Sequence, residues 1–507
     1  GQNAVRKFHS GIFQLVRQFC HLRHIQSVFL QFFRLGKIDE SQPGYKHTTI
    51  KPLLLKDLEQ VTYSKMTPYG KLKVEIEHKD FSGKMTVTVP VGTTADVYLP
   101  HTCAPQHLSQ GTYTLMFSDK SESEVYSTTA YTWKAESVLS DTLKAYAPTV
   151  MSLNTNALSR KGKPLGWNCR NDISKYGVFT GASTLETALY NLAVDEMVNN
   201  IENDGTLRTG ALWGGVWTRD VSYSAILSLS YMVPENVRTS LEVKIDELGR
   251  IIQDTGTGGS WPCSSDRVIW AVAAWKVYLA TGDEQWLKKA YPVILKSLES
   301  DLHMLYDKNT GLYRGESSFI DWRQQSYPLW MQPADIYMSE CLGTNVVYSE
   351  VFEIVASMAD VLGERSVAKE FRGRAADLRE AINDNLWLSD KGYYGSFLYG
   401  RNSLIQSGRS ETLGESLAIL WDVADKSRSA KIMKSMPVSA WGPAIFWPQI
   451  SSQPDYHNNA TWPFVTSYWG MAAAKTGNES ALLHALGSNV RSAAIYATNY
   501  ENFTNST

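Results

Sequence analysis

The chain has 507 residues, of which 43% are hydrophobic and 20% are charged, and its formal net charge is −2. This length suggests two or more domains, although a closed helical barrel can use about 350 residues as one unit. A net charge this close to zero gives no excess of positive charge that would attract nucleic acid or an anionic membrane, so neither is expected as a partner. The sequence has no run of 18 apolar residues, so no membrane span is predicted.

Residues 1–49 are predicted to be a basic N-terminal extension. The segment before Asp39 carries six Lys or Arg residues and no acidic residue, interleaved with apolar side chains. Such a pattern is also typical of targeting or surface-binding helices, but neither an initiating Met nor a small-residue cleavage site accompanies it. We favour an ill-fitting extension or remnant, and a secreted or periplasmic location is slightly favoured for the protein.

Residues 50–133 alternate polar and apolar side chains with period two, as in "KLKVEIEHKDFSGKMTVTVPVGTTADVYLP" and "GTYTLMF". This alternation predicts a small antiparallel β-sandwich. The strings "VPVGTTADVYLP" and "GTYT" resemble the C-terminal β-sandwich of α-L-rhamnosidases. Here the segment precedes the helical region, which suggests a fused accessory module or a gene fragment that begins inside an upstream enzyme.

Residues 134–180 are predicted to be a linker with short helical pieces. From residue 184 the apolar residues recur with the helical period in one segment after another. The predicted helices cover residues 185–201, 221–232, 235–252, 266–281, 284–306, 346–362, 365–386, 413–424, 427–435, 463–475 and 479–497.

The connections between these helices alternate between short turns and long loops rich in Gly and Trp. A loop of some 30 residues within a compact domain is usually functional. Hairpins whose long loops all lie at one end gather those loops on one face, which predicts an (α/α)6 toroid over residues 181–507 with its active site at that face. The eleventh predicted helix ends at residue 497, so we expect the domain to lack its last helix.

Three of the long loops carry motifs that resemble those of the six-hairpin glycoside hydrolases, the superfamily of glucoamylase-, trehalase-, glucosidase- and rhamnosidase-like enzymes. "WGGVWTRD" resembles their substrate-binding loop after the first helix, and "ESSFIDWR" resembles the acid-bearing loop after the fifth. "YHNNATWPFVTSYWG" resembles the loop that precedes a late helix. The resemblance covers residues 178–507 and implies hydrolysis of O-glycosyl bonds in an oligosaccharide or polysaccharide.

Hydrolysis of a glycosidic bond needs a protonated carboxylic acid and a second carboxylate, which lie about 6.5–9.5 Å apart in inverting enzymes. Glu316 and Asp321 are five residues apart in one loop and are not expected to form that pair. The resemblance favours Asp321 as the acid, since Trp322 supplies a low-dielectric wall that raises a carboxyl pKa. Glu316 is the competitor, and its structural alternative is an ion pair with Arg314 or Arg323.

In the families resembled, the Arg-Asp pair of the first loop binds sugar hydroxyls, which implies this role for Arg219 and Asp220. The structural alternative is that Asp220 caps the helix predicted to start at Val221. Trp213 and Trp217 are predicted to form stacking walls. The further candidates for substrate binding are Trp261, Trp322, Arg323, Tyr456, His457 and Trp462.

The base commonly lies after the eleventh helix in this superfamily, where Glu501 is the sole carboxylate. Asp455 is an alternative, as are Glu411 and Glu415. The last two surround a predicted helix start, where acidic residues are expected for dipole reasons alone.

The sequence therefore predicts an inverting glycoside hydrolase that removes terminal sugars from oligosaccharides or plant glycans. One alternative is a glycoside phosphorylase, with Arg401 and Arg409 as weak candidates for binding phosphate. Another is a catalytically inactive, carbohydrate-binding fragment. The five cysteines lack a metal-ligand pattern, and no cofactor is expected.

Overall fold

The computed structural model of this chain describes residues 38–40, 42–52, 59–79, 82–100, 102–118, 143–153, 166–181, 184–211, 213–254, 261–320, 327–451 and 453–504. The predicted basic extension therefore lies mostly outside the described residues.

The N-terminal region is built from strands that alternate buried and exposed side chains, as the period-two pattern predicts. The strands are β1 Ile38–Glu40, β2 His47–Ile50, β3 Gln60–Thr67, β4 Gly70–Lys79, β5 Ser82–Val89, β6 Thr94–Val97, β7 Gln106–Leu108, β8 Gly111–Ser118, β9 Leu143–Ala147, β10 Val150–Leu153, β11 Gly166–Asn168 and β12 Val178–Thr180.

Two of the sheets pack face to face around one apolar core. The larger sheet has the antiparallel order β12-β3-β4-β5-β8. The smaller has the order β1-β2-β6-β7, in which β2 and β6 are parallel. Their shared core contains Ile50 from β2, Val74 from β4, Val87 from β5 and Val97 from β6, all buried.

The structure differs from the predicted boundaries of this region at both ends. The smaller sheet already begins at Ile38, before the predicted start at residue 50. The predicted linker at 134–180 is described only at residues 143–153 and 166–180, where the regular structure is β-strand instead of the expected helical pieces. The segment Val178–Thr180 pairs with β3, as its two β-branched residues favour. Its buried Phe179 belongs to the core of the helical region and lies 5.6 Å from Tyr190 between ring centroids.

The C-terminal region is formed by helices whose positions agree closely with the predicted segments. They are α1 Thr184–Asn199, α2 Thr218–Ser224 with its π-helical continuation Ala225–Leu229 and final turn Ser230–Met232, α3 Pro234–Glu242, α4 Ile269–Thr281, α5 Glu284–Met304, α6 Pro333–Tyr337, α7 Leu342–Leu362, α8 Arg365–Leu386, α9 Thr412–Leu420, α10 Lys426–Ser435, α11 Pro463–Thr476 and α12 Glu479–Tyr496.

Short strands tie the loops between these helices. They are β13 Tyr306–Asp307, β14 Leu312–Tyr313, β15 Glu340–Cys341, β16 Trp387–Leu388, β17 Tyr393–Tyr394, β18 Phe397–Tyr399, β19 Ile405–Gln406, β20 Ser410–Glu411, β21 Val438–Ser439, β22 Gly442–Pro443, β23 Phe446–Trp447, β24 Ala460–Thr461 and β25 Phe503–Thr504.

One predicted helix is too long. The segment predicted at 235–252 is helical only to Glu242, because Asp246 then starts a turn. The Asp246 carboxylate accepts the N–H groups of Leu248 and Arg250 at 2.9 and 2.8 Å, and Gly249 adopts a φ of 75°. An Asx turn of this kind offers the backbone an alternative to the helix.

Successive inner helices pack against each other in the order α2, α4, α7, α9 and α11. The two ends of this series also touch, since the Tyr468 hydroxyl of α11 donates to the Tyr223 carbonyl of α2 at 3.1 Å. The inner helix α9 is buried on all sides, whereas the outer helix α8 buries one face. The N-terminal ends of the inner helices therefore share one end of the bundle, where the long loops arrive.

A buried carboxylate joins three of the helices below that end. Asp301 of α5 is 0% exposed and accepts from Arg267 Nη2 at 2.7 Å, from Trp261 Nε1 at 2.9 Å and from the Tyr348 hydroxyl of α7 at 2.9 Å. Arg267 lies in the 3-10 turn Asp266–Val268 that leads into α4. Both carboxylate oxygens are thus satisfied, as burial of a charge requires.

We predict that Asp301→Ala destabilises the protein by about 3–5 kcal/mol, because it leaves the buried Arg267 guanidinium without its counter-charge. Urea unfolding measures the change. Glu284→Ala, which removes an exposed partner of Lys288 from the same helix, is the control and should cost about 1 kcal/mol or less. Equal losses in the two variants would contradict the structural role of Asp301.

Candidate active site

The candidate site lies at the N-terminal ends of the inner helices, where the segment Gly315–Ile320 contacts several other loops. Glu316 is 1% exposed, and the Ser264 hydroxyl donates to its Oε2 at 2.5 Å. Its N–H donates to the Cys263 carbonyl at 2.9 Å, and its own carbonyl accepts from Thr344 Oγ1 at 2.6 Å. Side chain and backbone of Glu316 are therefore both held by hydrogen bonds. Of the two arginines considered as its partners, Arg314 bonds Asp307 and Arg323 lies outside the described residues.

Two consecutive serines hold the segment from opposite sides. Ser317 Oγ donates to Glu411 Oε1 at 3.2 Å, and Ser318 Oγ donates to Asp266 Oδ2 at 2.9 Å. The Ser317 N–H also donates to the Tyr327 hydroxyl at 2.8 Å. Glu411 precedes α9 and Asp266 lies in the turn before α4, so the two carboxyl groups hold the segment between the starts of two inner helices.

Glu411 occupies a space that two glycines provide. The N–H groups of Gly343 and Gly414, at the starts of α7 and α9, donate to its carboxylate. A Cβ at either glycine would overlap Glu411 Oε1. Burial raises the pKa of Glu411 to about 7. Glu411 thus anchors the acid-bearing loop from within the core, which favours its structural alternative over a role as the base.

Glu415, the neighbouring alternative, is equally enclosed. It is 0% exposed, and its Oε1 accepts from Ser410 Oγ at 2.5 Å and from the Tyr394 N–H at 2.8 Å. Burial raises the pKa of Glu415 well above its ordinary value. The side chain fixes the strands of its own loop.

Phe319 turns the chain at the end of the segment. It is a non-glycine residue with a φ of 75°, a strained conformation that persists only where the surroundings hold it. Its ring makes edge contacts with Trp462 at 4.7 Å, Phe464 at 4.6 Å and His457 at 5.1 Å between centroids. The chain then continues to Asp321, Trp322 and Arg323, which lie outside the described residues.

Glu501 joins the same aromatic cluster from the other side. Its Oε1 accepts the Tyr456 hydroxyl at 2.7 Å, and it is 4% exposed. Trp462 Nε1 donates to the Tyr456 carbonyl at 2.8 Å. The segment that carries Glu501 is held there by pairing of β25 with β24. The structure therefore brings Tyr456, His457 and Trp462 together with Glu501, and through Phe319 with the loop that leads to Asp321.

Hydrogen bonds of Asn458 fix the turn between Ile450 and His457. Asn458 Oδ1 accepts the Ile450 N–H at 2.8 Å, and its amide donates to the Ile450 carbonyl at 2.9 Å. The Asp455 carbonyl accepts the Asn458 N–H at 2.9 Å. Asp455 is only partly buried and belongs to the turn that presents Tyr456.

Arg219 and Asp220 lie on the first turn of α2, and both are buried. Arg219 Nη1 is 3.6 Å from Asp266 Oδ2, so the arginine reaches the carboxylate that also holds Ser318. Asp220 is not the N-cap, because α2 begins at Thr218, three residues before the predicted start. The Thr218 N–H donates to Asp254 Oδ1 at 3.0 Å, so Asp254 has the capping role that the sequence suggested for Asp220.

Trp213, Trp217 and Trp261 differ in exposure. Trp213 is 38% exposed and contacts Trp217 edge to face at 5.7 Å between ring centroids. The Trp261 N–H donates to Asp301, and the ring centroid of Trp261 lies 4.8 Å from the Arg267 guanidinium carbon. Of the three, Trp213 and Trp217 therefore fit the predicted stacking surface better than Trp261 does.

Comparison with known families identifies the helical region. Residues 253–440 match the family model of the bacterial alpha-L-rhamnosidase 6 hairpin glycosidase domain. Residues 253–440 are therefore similar to a six-hairpin glycosidase domain. Residues 38–113 match the bacterial alpha-L-rhamnosidase C-terminal domain, which in this chain precedes the glycosidase domain. Both predicted resemblances are confirmed. No curated protein matches the chain.

Solved structures with a similar fold were also found. A family GH78 rhamnosidase of Bacillus sp. GL1 shares 20% identity and a TM-score of 0.42, covering 57% of this chain and 28% of that one. Neutral trehalase of Saccharomyces cerevisiae shares 11% identity and a TM-score of 0.47, covering 60% and 70%. A GH63 mannosylglycerate hydrolase of Thermus thermophilus shares 12% identity and a TM-score of 0.44, and the match covers 59% of this chain and 89% of that one. This chain thus spans little more than a quarter of the rhamnosidase.

The two arginines considered for phosphate each bond a protein oxygen. Arg401 donates from Nε and Nη2 to the two oxygens of Asp335, both at 2.8 Å. Arg409 Nε donates to the Pro448 carbonyl at 3.1 Å. Within the residues that the structure describes, no group of His, Cys, Asp and Glu could hold a metal ion. None of the described helices is long and apolar enough to cross a membrane.

We predict that Glu411→Gln flattens the pH dependence of stability. The pKa of this carboxyl is raised from 4.5 to about 7 in the folded protein. The protonated carboxyl therefore stabilises the folded state fully below pH 4.5, and this contribution is lost as the pH rises through 7. The change amounts to about 3 kcal/mol in the free energy of unfolding. The free energy of unfolding at pH 5 and pH 8 measures it. The exposed Glu299→Gln should keep the wild-type difference, and an unchanged difference in the Glu411 variant would be contrary to this prediction.

Proposed function

We propose that this chain is an inverting glycoside hydrolase that removes terminal sugars from oligosaccharides or plant glycans. The observation that carries the proposal is the meeting of two distant loops at one aromatic cluster. Glu501 reaches it through the Tyr456 hydroxyl at 2.7 Å, and the segment leading to Asp321 reaches it through Phe319 and Trp462. Membership of residues 253–440 in a glycosidase domain family supports the same chemistry.

In this mechanism Asp321 protonates the leaving oxygen, and Glu501 removes a proton from the attacking water on the opposite face of the sugar. The two come from different loops, which suits the separation of about 6.5–9.5 Å that inversion requires. Tyr456 supports the proposed base, since its O–H bond orients one oxygen of Glu501.

Glu316 is the weaker candidate for the acid. It is buried, with Oε2 bonded to Ser264 and its backbone bonded on both sides. We assign it the task of positioning the loop. Arg219 and Asp220 are assigned to sugar hydroxyls, with Trp213, Trp217 and Trp322 as stacking surfaces and Arg323 as a further contact. We also propose that the helices form an (α/α)6 toroid, with the strand domain as an accessory module.

We predict that Asp321→Asn and Glu501→Gln each lower kcat by about 10²–10⁴-fold, as expected for loss of a general acid or base. The assay is sugar release from aryl glycosides and neutral plant oligosaccharides, with the anomer of the product followed by NMR. Glu299→Gln is the matched surface control and should retain full activity.

The same assay decides between the competing assignments. Loss of activity in Glu316→Gln with full activity in Asp321→Asn would reverse the assignment of the acid. Turnover that requires added phosphate would indicate a phosphorylase. A folded wild-type protein that binds glycans but releases no sugar would indicate a binding protein.

A further prediction concerns Tyr456. We expect Tyr456→Phe to keep the fold but to move the acidic limb of the pH–rate profile to higher pH, because the lost hydrogen bond favours the ionised carboxylate. A profile of kcat against pH measures the shift. Tyr306→Phe, which alters a partly exposed hydroxyl away from the cluster, should leave the profile in place. Identical profiles for the Tyr456 variant and wild type would count against Glu501 as the base.

A further inference from the structure

A second aromatic surface lies beyond the aromatic cluster, on the loop that follows the acid-bearing segment. Trp330 is 52% exposed, the largest exposed fraction of any Trp that the structure describes. An indole combines a flat apolar face with an N–H donor, which suits a ligand that has both apolar and polar surface.

The Trp330 ring is held in place by its neighbours. Tyr399 stacks on it with centroids 6.1 Å apart and an angle of 19° between the rings. The Arg401 guanidinium carbon lies 5.6 Å from the ring centroid, and Arg401 Nη2 donates to the Trp330 carbonyl at 3.4 Å. The two neighbours thus fix an exposed ring, so that little conformational entropy is lost when a ligand binds to it.

Asp335 organises both neighbours. It accepts the Tyr399 hydroxyl at 2.5 Å and two N–H groups of Arg401 at 2.8 Å each, and only 6% of the residue is exposed. These bonds lower the pKa of Asp335, so the carboxylate is ionised at neutral pH. It neutralises Arg401, whose remaining N–H groups can still donate hydrogen bonds. The surface is therefore suited to a neutral ligand with hydroxyl groups rather than to an anion.

Hydrogen bonds of the buried Tyr327 connect the loop of Trp330 to the candidate site. The Tyr327 hydroxyl accepts the Ser317 N–H at 2.8 Å, and Gln453 Nε2 donates to the Tyr327 carbonyl at 3.0 Å. Trp330 follows Tyr327 by three residues, so their Cα atoms are at most about 11 Å apart. A short saccharide that occupies the cleavage position can extend to this ring.

We infer that Trp330, Tyr399 and Arg401 form a distal subsite that binds a neutral sugar residue of an oligosaccharide chain. The apolar face of the sugar stacks on the indole, and its hydroxyls accept from Arg401. The inference rests on the proposed function, and it adds that the substrate is a chain of several sugars rather than a small glycoside.

The test is Trp330→Ala, with Leu329→Ala as the matched control because Leu329 is its neighbour and is 70% exposed. For neutral oligosaccharides of increasing length we expect KM to rise about tenfold in the Trp330 variant once the chain reaches the subsite, a factor worth about 1.4 kcal/mol. KM for an aryl monoglycoside and kcat for all substrates should not change. Trp330→Phe, which keeps a flat ring, should recover most of the affinity.

Two outcomes would overturn the subsite: an equal effect on short and long substrates, or no effect on long ones. Affinity electrophoresis tests the subsite separately from catalysis. The gels contain a neutral polymer, arabinoxylan or galactomannan, or the anionic polymer polygalacturonate. A neutral polymer should retard the migration of wild type and Leu329→Ala but not that of Trp330→Ala. Retardation without sugar release would refute the proposed hydrolysis and retain the subsite. Retardation by polygalacturonate alone, or equal migration of all variants, would refute the subsite.

Discussion

The fixed position of Ser317 and Ser318 between two buried carboxylates is the constraint on which the rest of the candidate site depends. Glu411 lies on the α9 side and Asp266 on the α4 side, and each bonds one serine. The segment they hold leads directly to Phe319 and the proposed acid. Because the two anchors are on different helices, the loop cannot move without disturbing the packing of the inner helices.

Burying a carboxyl group removes its hydrogen bonds to water, and hydrogen bonds within the protein replace them here. Glu411 lies at the starts of α7 and α9, where free N–H groups and the positive ends of two helix dipoles favour negative charge. Only residues without a Cβ at Gly343 and Gly414 leave room for it. Asp266 is instead satisfied by side chains, with Gln253 Nε2 at 3.0 Å and Ser318 Oγ at 2.9 Å. The same need is thus met by different local chemistry on the two sides.

The helical hairpins could be predicted because apolar residues recur with the helical period, and this pattern depends on sequence neighbours alone. The three site loops could be found through their motifs, which join aromatic and charged residues at short spacing. What could not be predicted depends on distant contacts: Asp254 as the cap of α2, Asp301 as the partner of Arg267, and Asp266 as an anchor. Each of these acts on a residue from another part of the chain. The position of Phe179 in the larger sheet was missed for the same reason.

The way in which Glu501 is held suggests how such a fold can vary its chemistry. Its segment joins the bundle through the two-residue pairing of β25 with β24 and through the Tyr456 hydroxyl. The segment is also tied to the helices, because Asn499 Nδ2 donates to Glu196 Oε2 of α1 at 2.5 Å and Phe503 stacks on Trp441 with ring centroids 5.5 Å apart. In the proposed mechanism the separation of the two carboxyl groups determines how water reaches the sugar. A change in the contacts of either loop would therefore alter the course of the proposed reaction.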